Sequence, residues 1–416
     1  MNKISIFILA ITAISLISCT EDLGTTEVEY VKAEAIYGSI DDLRNTQLLS
    51  TSQEIIDPGK VYVSEDLLLI GEEGKGIHVF DNSDPESPRE LYFMNIPENK
   101  EFYVADNKIY AESLYDVIKI DISNKQSPTI ESRVENAFSE PFKNASGQEL
   151  IGFTYTEVKE KLDKSSSIWE LVNGDDPLFF DYEQRLIPRS NVPASFAGSS
   201  GSSIGTVNRI AQKNDHIYVI SNSVVYTFKN GSQLEKVSEN SIGWNLETIY
   251  PQDDALFVGT SNSMEILTIT NPDNPEWIGS FSHATSCDPV LPNGETAYVT
   301  LRSGNECDGN IDALIVVDIE NLTIPQSKQD IEMESPYGMT IIAGQLYVGE
   351  GENGLKIFDI LDDGRVEMVE HDKSIQAYDV IPHPTKADII LVASPSGFGQ
   401  YQITSTSRKL LSWISA

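Results

Sequence analysis

The segment Leu314-Ile315-Val316-Val317-Asp318 indicates the fold, because segments like it recur along most of the chain. It is a run of apolar, mostly β-branched residues that ends in aspartate, which is typical of a buried strand followed by a turn. In three of the four clear copies a proline follows the aspartate within seven residues, where it ends the strand and favours a turn. The other clear copies are Ile77-His78-Val79-Phe80-Asp81, Val117-Ile118-Lys119-Ile120-Asp121 and Leu355-Lys356-Ile357-Phe358-Asp359.

Three weaker copies bring the number of repeats to seven. They lie at Val225-Tyr226-Thr227, Glu265-Ile266-Leu267-Thr268 and Gln400-Tyr401-Gln402. Successive copies are 40 to 50 residues apart, except for one interval of 106 residues. A period near 41 residues accommodates four short strands per unit, as in a blade of a β-propeller. The sequence therefore predicts an all-β fold, a seven-bladed β-propeller of four-stranded blades, over residues 56–416.

The long interval predicts an insertion between the second and third blades, at about residues 139–203. It contains a possible helix from Tyr155 to Asp163, and it ends in a Ser/Gly-rich run typical of a flexible linker. Two interpretations are open: a loosely packed loop, or a lid or arm that docks a partner. Because loop length costs little stability, we expect the insertion to be dispensable for folding of the propeller.

The N-terminus predicts export from the cytoplasm. A short basic start and an apolar run from Ile4 to Ile17 form a signal peptide over residues 1–18, too short for a membrane span of about 20 residues. Leu16-Ile17-Ser18-Cys19 resembles the lipobox of bacterial lipoproteins, which implies a lipid on Cys19 and a membrane anchor. An ordinary secretory signal with a chance cysteine is the alternative.

The residues after Cys19 bear on the final location. Thr20-Glu21-Asp22 resembles the surface-export signal of Bacteroidetes-type lipoproteins, which implies an outer-membrane lipoprotein exposed at the cell surface. Residues 19–55 are predicted to be a polar tether, with a possible strand from Ala33 to Tyr37 and a possible short helix from Ser39 to Arg44.

Charge excludes two classes of partner. The chain has 29 Lys+Arg against 64 Asp+Glu, for a net charge of −35. Nucleic acid binding needs clustered basic residues, so no nucleic acid partner is expected. Docking on anionic lipid headgroups through a basic surface is disfavoured for the same reason, so contact with the membrane is expected only through the lipid.

The cysteine count agrees with an oxidising compartment. With Cys19 lipidated, Cys287 and Cys307 remain, and they are predicted to form a disulfide. Closing a loop of this size contributes about 3 kcal/mol in the chain-entropy model. Two buried free thiols and a metal pair are the alternatives, but the absence of CxxC spacing makes zinc a poor fit.

The repeats resemble the LVIVD-repeat family of bacterial β-propellers. The resemblance covers residues from about 55 to the end, and its closest match is a group of envelope lipoproteins. The segments shared with that group include Gly243-Trp244-Asn245-Leu246-Glu247, Ser286-Cys287-Asp288-Pro289-Val290, Tyr298-Val299-Thr300-Leu301-Arg302 and Ala377-Tyr378-Asp379-Val380. The resemblance implies the propeller fold and an envelope location, and it implies no particular reaction.

Three carboxylates form the candidate ligand site. Glu247, Asp288 and Asp379 each lie at the start of the innermost strand of a different blade, so a propeller would bring them to one mouth of its channel. Arg302 and Tyr337 complete the set, and Gly338 leaves room for it. The site could take calcium, a cationic ligand or a sugar. Alternatively, backbone amides and Arg302 neutralise the carboxylates, which then only hold the blades in register.

No catalytic motif is present, and the aspartates at the ends of the repeats are expected to cap turns through their side chains. The sequence therefore predicts a lipid-anchored envelope module that binds a protein, glycan or small ligand without catalysis and without an obligatory cofactor. The alternative is an envelope enzyme, a glycan hydrolase or lyase, that uses the carboxylates at the mouth.

Overall fold

Seven antiparallel sheets form the blades of a β-propeller in the computed structural model, as the sequence predicts. Each blade consists of strands that are consecutive in the chain, running from the innermost strand at the channel to the outermost strand at the rim. No helix in the described part of the chain is both long and apolar enough to cross a membrane. The structure describes residues 25–163, 184–188, 209–243, 246–283, 289–303, 311–404 and 408–416.

The first part of the chain contains the N-terminal segment, two blades and the insertion. Its elements are β1 (Thr25–Gly38), α1 (Ile40–Arg44) and β2 (Leu49–Ser50); blade 1, β3 (Pro58–Val63), β4 (Leu67–Glu72), β5 (Gly76–Asp81) and β6 (Arg89–Asn95); blade 2, β7 (Phe102–Ala105), β8 (Lys108–Ser113), β9 (Asp116–Asp121) and β10 (Thr129–Val134); and the insertion strands β11 (Glu149–Asp163) and β12 (Gln184–Pro188).

The remaining five blades follow the insertion. They are blade 3, β13 (Ile210–Lys213), β14 (His216–Ser221), β15 (Val224–Asn230) and β16 (Leu234–Ser241); blade 4, β17 (Leu246–Gln252), β18 (Ala255–Thr260), β19 (Ser263–Thr268) and β20 (Glu276–Ser282); blade 5, β21 (Val290–Asn293), β22 (Thr296–Leu301), β23 (Ala313–Asp318) and β24 (Gln326–Glu332); blade 6, β25 (Met339–Ile342), β26 (Gln345–Gly349), β27 (Leu355–Ile360) and β28 (Val366–Asp372); and blade 7, β29 (Asp379–Pro382), β30 (Ile389–Ser394), β31 (Gly397–Ile403) and β32 (Arg408–Ser415).

The core lies between the faces of adjacent blades. Second strands such as β4, β18, β22 and β30 are buried along their whole length, because a neighbouring blade covers each face. Outer strands such as β24 and β28 are largely exposed, since they border the rim. This gradient explains why the third strands carry the recognisable apolar repeats and the outer strands do not.

The aspartates that end three clear repeats cap turns, as expected. Asp81, Asp121 and Asp318 each accept a hydrogen bond at Oδ1 from the backbone N–H two residues later, at 2.8 to 3.2 Å. The fourth, Asp359, instead accepts a hydrogen bond from Gln345 Nε2 at 2.7 Å. Asp81, Asp121 and Asp318 thus each form a local Asx turn, and their role is structural.

Every blade contains a β-bulge where its third strand pairs with its fourth. In blade 5, for example, the register shifts between Val316 and Val317, so that Lys328 on the outer strand is not paired with any residue of the third strand in the β-ladder. A bulge increases the local twist of the sheet, which suits the outer edge of a propeller blade. The repeat pattern in the sequence did not reveal this feature.

Side chains close the ring between blade 7 and blade 1, because neither sheet borrows a strand from the other. The buried amides of Asn82 and Gln400 exchange hydrogen bonds at 3.0 and 2.7 Å. Gln400 and Ser412 also donate to the carbonyl of Pro85 in the turn after β5. Apolar residues of both blades, including Phe80 and Phe398, pack behind this contact.

The insertion pairs with the N-terminal segment. β1 is the central strand of a three-stranded antiparallel sheet with β11 on one side and β12 on the other. The predicted helix from Tyr155 to Asp163 is therefore wrong: these residues belong to β11, because pairing with β1 satisfies the backbone groups that a helix would satisfy internally.

Part of the predicted tether forms regular structure. The strand expected near Ala33–Tyr37 lies within β1, and the expected short helix is α1, whose N-cap Ser39 accepts a hydrogen bond from Asp42 N. Arg44 at the end of α1 forms a bidentate ion pair with buried Asp116 of blade 2, at 2.8 and 2.9 Å. Strand β2 then pairs with β6 and becomes a fifth strand of blade 1.

Candidate binding site at the channel mouth

The innermost strands all begin at the same mouth of the channel, so the residues that start them converge there. Pairing between the innermost and second strands shows which positions in the blades are equivalent. Each equivalent position directly precedes a buried apolar residue of the innermost strand that pairs with a residue of the second strand. In five blades the equivalent residues are Lys60, Glu101, Arg209, Gly338 and Asp379.

Two of these residues form a buried ion pair across a blade boundary. Lys60 Nζ of blade 1 lies 3.6 Å from Glu101 Oε1 of blade 2. Burial lowers the pKa of Lys60, and the negative charges of Glu101 and Asp379 oppose that change. Burial also raises the pKa of Glu101 to about 7, although the positive charge of Lys60 pulls it down. Blades 1, 2 and 7 are thus coupled electrostatically at the mouth.

The charges of two further carboxylates, Glu73 and Glu112, interact with that of Glu101. Burial raises the pKa of Glu73 to about 8; the positive charge of Lys100 opposes this change, and the charge of Asp57 adds to it. Burial likewise raises the pKa of Glu98 and of Glu112. A group of desolvated carboxylates with perturbed pKa values is a recognised sign of a functional site, although structural ion pairs produce the same sign.

Asp379 lies where the sequence predicts, but it is wholly buried. Its Oδ1 accepts a hydrogen bond from Val380 N at 2.8 Å. A Cβ atom on Gly338 would lie 2.1 Å from that oxygen, so only glycine fits beside the carboxylate. The space beside Gly338 is therefore filled by the side chain of Asp379.

Arg302 and Tyr337 also meet, together with an aromatic residue that the candidate set did not include. The Arg302 guanidinium lies over the Tyr337 ring, 4.2 Å from its centroid, and the rings of Tyr337 and Tyr378 are 4.5 Å apart. Burial raises the pKa of Tyr378 to about 12, and the neighbouring Tyr337 adds to this. Such cation–π contacts hold an arginine in a defined orientation.

The remaining predicted residues have different outcomes. Glu247 is half-buried in β17 and next to a register shift, so Thr248 occupies the position equivalent to Asp379. Asp288, Cys287, Cys307 and Cys19 lie outside the described residues, and the disulfide and the lipid stay predictions. Among the described residues, no group of three or more His, Cys, Asp or Glu side chains could hold a metal ion.

The sequence reasoning missed Lys60 and Arg209 because it searched the innermost strands for carboxylates only, and it overlooked the carboxylate of Glu101. The signal was available: in each case a charged residue directly precedes a buried apolar residue of the innermost strand, as in Lys60-Val61, Glu101-Phe102 and Arg209-Ile210. The sequence could therefore have predicted that charged residues of both signs line the mouth. It could not have predicted which of these charges pair with each other.

Comparison with models of protein families and with curated proteins finds no match to this chain. Solved structures do match in fold. A functionally unknown protein from Desulfotomaculum acetoxidans DSM 771 is 9% identical, with 84% of this chain and 95% of that chain covered and a TM-score of 0.54. A chain of the mitotic checkpoint complex is 8% identical, with 89% and 93% covered and a TM-score of 0.50. At such low identity the likeness shows the β-propeller fold alone.

Proposed function

We propose that this β-propeller is a lipid-anchored module of the cell envelope that binds a protein or glycan partner without catalysis. The observation that carries the proposal is the channel mouth, where the stack of Arg302, Tyr337 and Tyr378 stands in the same sector as buried Asp379. Arg302 and Tyr337 are half-exposed, and arginine and tyrosine are the residue types that contribute most binding energy at protein interfaces.

Burial of Asp379 and Glu101 favours binding over the alternative of a glycan hydrolase or lyase that uses these two groups. Such an enzyme needs two carboxylates that reach the substrate from opposite sides. Asp379 is 0% exposed and Glu101 is 7% exposed, and Glu101 is paired with Lys60. These two groups hold neighbouring blades together and cannot contact a glycosidic bond without a rearrangement of the mouth.

The envelope location rests on the N-terminal sequence and on the resemblance to LVIVD-repeat lipoproteins of the Bacteroidetes type. A lipid on Cys19 would be separated from β1, which begins at Thr25, by only five residues. Strand β1 is 14 residues long, or about 46 Å at the usual rise per residue. We therefore propose that the sheet of β1, β11 and β12 lies close to the membrane anchor.

Metabolic labelling with a fatty-acid analogue tests the anchor. We expect the wild-type protein to be labelled and Cys19→Ala to be unlabelled, because only the cysteine of the lipobox accepts the lipid. Label that persists in Cys19→Ala would remove the lipoprotein assignment while leaving the binding site untouched.

Affinity capture from native envelope tests the mouth. Tyr337→Ala should lose partners that the wild-type protein retains, because it removes the ring that orients Arg302. Trp277→Ala is the matched control: it removes an exposed aromatic side chain from the outer strand of blade 4. Equal capture by wild type and Tyr337→Ala, with both correctly folded, would contradict a partner at the mouth.

A further inference from the structure

Two buried glutamates occupy equivalent places in blades 1 and 6. Glu72 ends β4 and pairs in register with Gly76, and Glu350 directly follows β26 and bonds through its backbone to Gly354. Both glycines have positive φ, 146° and 107°, and a Cβ atom on either would lie within 2.2 Å of a carbonyl oxygen of the outer strand. The two hairpins therefore have the same design.

Each glutamate holds the segment that enters its blade. Glu72 accepts backbone hydrogen bonds from Ile56 and Asp57, both at 3.1 Å. Glu350 accepts backbone hydrogen bonds from the equivalent residues Glu334 and Ser335, at 3.0 and 2.7 Å. We call each arrangement a clamp, and we call residues 51–57, which join β2 to β3, the strap.

The clamps differ in the bases that face the glutamate. In blade 1 the half-exposed Lys75 places its Nζ 2.9 Å from Glu72 Oε1. The base on the buried side of the glutamate differs between the two clamps. In blade 6, Lys356 Nζ lies 2.9 Å from Glu350 Oε1. In blade 1 the equivalent residue is His78, whose Nε2 lies 3.4 Å from Glu72 Oε2. Lysine stays charged across the neutral range, whereas histidine changes its charge there.

His78 also reaches a second carboxylate that holds the strap. Its Nδ1 lies 2.9 Å from Glu90 Oε1, and Glu90 accepts a hydrogen bond from the hydroxyl of Ser52. The imidazole is completely buried and packs edge-on against the Phe93 ring, 4.7 Å between centroids. One buried ring thus connects two carboxylates that together fix both ends of the strap.

We propose that His78 makes the blade 1 clamp a pH-sensitive latch, which holds the strap when the imidazole is protonated and loosens it when the proton is lost. The protonated ring can donate to Glu72 and Glu90 at the same time, because both nitrogens then carry hydrogen. The neutral ring has one donor, so one carboxylate loses its hydrogen bond. Glu72 keeps its contact with Lys75, but the cation between Glu72 and Glu90 is lost.

The surrounding carboxylates favour the protonated ring. Burial alone would lower the pKa of His78, but the hydrogen bonds and charges of Glu72 and Glu90 raise it. Burial opposes ionisation of Glu72, yet bonds from His78, Lys75 and the strap bring its pKa down to about 2. Glu72 therefore stays charged, and the groups of the latch that titrate are His78 and Asp57.

The sign of the pH effect follows from these shifts. A histidine whose folded pKa lies above its unfolded value stabilises the fold fully below about 6.5, and this contribution is lost as the pH rises through the folded pKa. Asp57 acts in the same direction. Burial and the charge of Glu72 raise its pKa to about 6, so its ionisation adds a second negative charge beside Glu72 as the pH rises from about 4 to 6.

Loosening of the strap would act on the N-terminal segment as a whole. The strap follows β2, and β2 follows α1 and β1, so it is the last attachment of that segment before the propeller begins. The ion pair between Arg44 and Asp116 carries no histidine and would remain. The latch would therefore change the stiffness of the connection without detaching the segment.

Hydrogen exchange of the full-length protein from pH 6 to pH 9, corrected for intrinsic exchange rates, tests the latch. We expect protection of the Ile56 and Asp57 amides to fall about tenfold or more across this range. Protection of Glu334 and Ser335, the same positions in the lysine clamp, should stay unchanged. Equal behaviour of the two pairs would overturn the proposal.

Exchanging the bases provides the second measurement. His78→Lys should remove most of the pH dependence of strap protection above pH 7, where Asp57 is already ionised, and Lys356→His should introduce a pH dependence into the blade 6 clamp over that range. If His78→Lys does not fold, Lys356→His still decides. A folded His78→Lys variant that keeps the wild-type pH dependence, or a Lys356→His variant that acquires none, would show that the base at this position does not control the clamp.

Discussion

Lys60 illustrates how a single residue at the mouth depends on its neighbours. It is 4% exposed, and it faces Glu101 and the charge of Asp379. Breaking such a buried pair costs much more than an exposed ion pair contributes, because the remaining charge is left without compensation. The effect of a substitution must therefore depend on whether Glu101 is ionised.

Lys60→Met should destabilise the protein by about 3–5 kcal/mol at pH 8 and by clearly less at pH 5. The folded pKa of Glu101 is about 7, above its usual value, so the acid form predominates in the folded protein at pH 5 and needs no cation. Stability contributed by that acid form is lost as the pH rises from about 4.5 through 7. Urea unfolding at both pH values measures the difference.

The control for this substitution is Lys125→Met, which breaks the half-exposed pair with Asp66 and should cost about 1 kcal/mol or less at either pH. An equal loss at pH 5 and pH 8 for Lys60→Met would show that Glu101 keeps the same charge throughout.

Gly338→Ala should destabilise the protein by about 1–3 kcal/mol, because the new Cβ meets Asp379 Oδ1 at 2.1 Å. In an Asp379→Ala background the same substitution should cost much less, since the clashing oxygen is gone. Gly243→Ala is the control, because no atom lies within 4 Å of its added Cβ. Chemical unfolding of the four variants gives the coupling, and strictly additive losses would contradict the contact.

At the scale of elements, the sheet of β1, β11 and β12 joins two parts of the chain that look unrelated in sequence. Fourteen residues of β1 pair with β11, across a separation of more than a hundred residues. A single strand is not stable in water without a partner, so β1 and the insertion order each other. The insertion is thus neither a simple loop nor independent of the N-terminus.

Deletion of residues 139–203 should leave the propeller folded and release β1. The blades on either side keep their own core contacts, so the main thermal transition should shift little. The segment Thr25–Gly38 should lose its exchange protection and become sensitive to proteases, whereas α1 stays attached through Arg44. A β1 that remains protected after the deletion, or a propeller that no longer folds, would contradict this division of roles.

At the scale of the whole molecule, closure of the ring depends on one seam. Blades 1 and 7 are at opposite ends of the described propeller chain and meet without exchanging a strand. The reciprocal amide pair of Asn82 and Gln400 is buried there, and both groups lose their partners if the seam opens. The seam is therefore where global stability and local hydrogen bonding are most closely linked.

A double-mutant cycle of Asn82→Ala and Gln400→Ala should show a coupling of about 1–3 kcal/mol. Gln400→Ala removes both hydrogen bonds of the Asn82 amide to Gln400, and Asn82→Ala leaves Gln400 Oε1 without its donor although Gln400 Nε2 keeps other acceptors. The second substitution then costs little more. Gln252→Ala is the control, since it removes an exposed tie to Gly294 between blades 4 and 5. Urea unfolding measures all variants, and additive losses at the seam would show that the two amides act independently.

The sequence by itself determined the features that depend on local pattern. Seven apolar repeats at blade spacing predicted the architecture, and Asp81 with its following turn predicted an Asx cap. The short helix α1 was readable because Ser39 caps it and acidic residues fill its first turn. These features need only neighbours a few residues away, so the order of residue types is enough to specify them.

Only the tertiary structure decided which distant groups meet. Closure of the ring places Lys60 beside Glu101, and Gly338 against Asp379. The sequence of each repeat does not indicate which residue of the neighbouring blade it will contact. The segment from Tyr155 to Asp163 has a sequence compatible with a helix, and pairing with β1 made it a strand. In each case the free energy comes from desolvation and pairing between segments far apart in the chain, which local preference cannot encode.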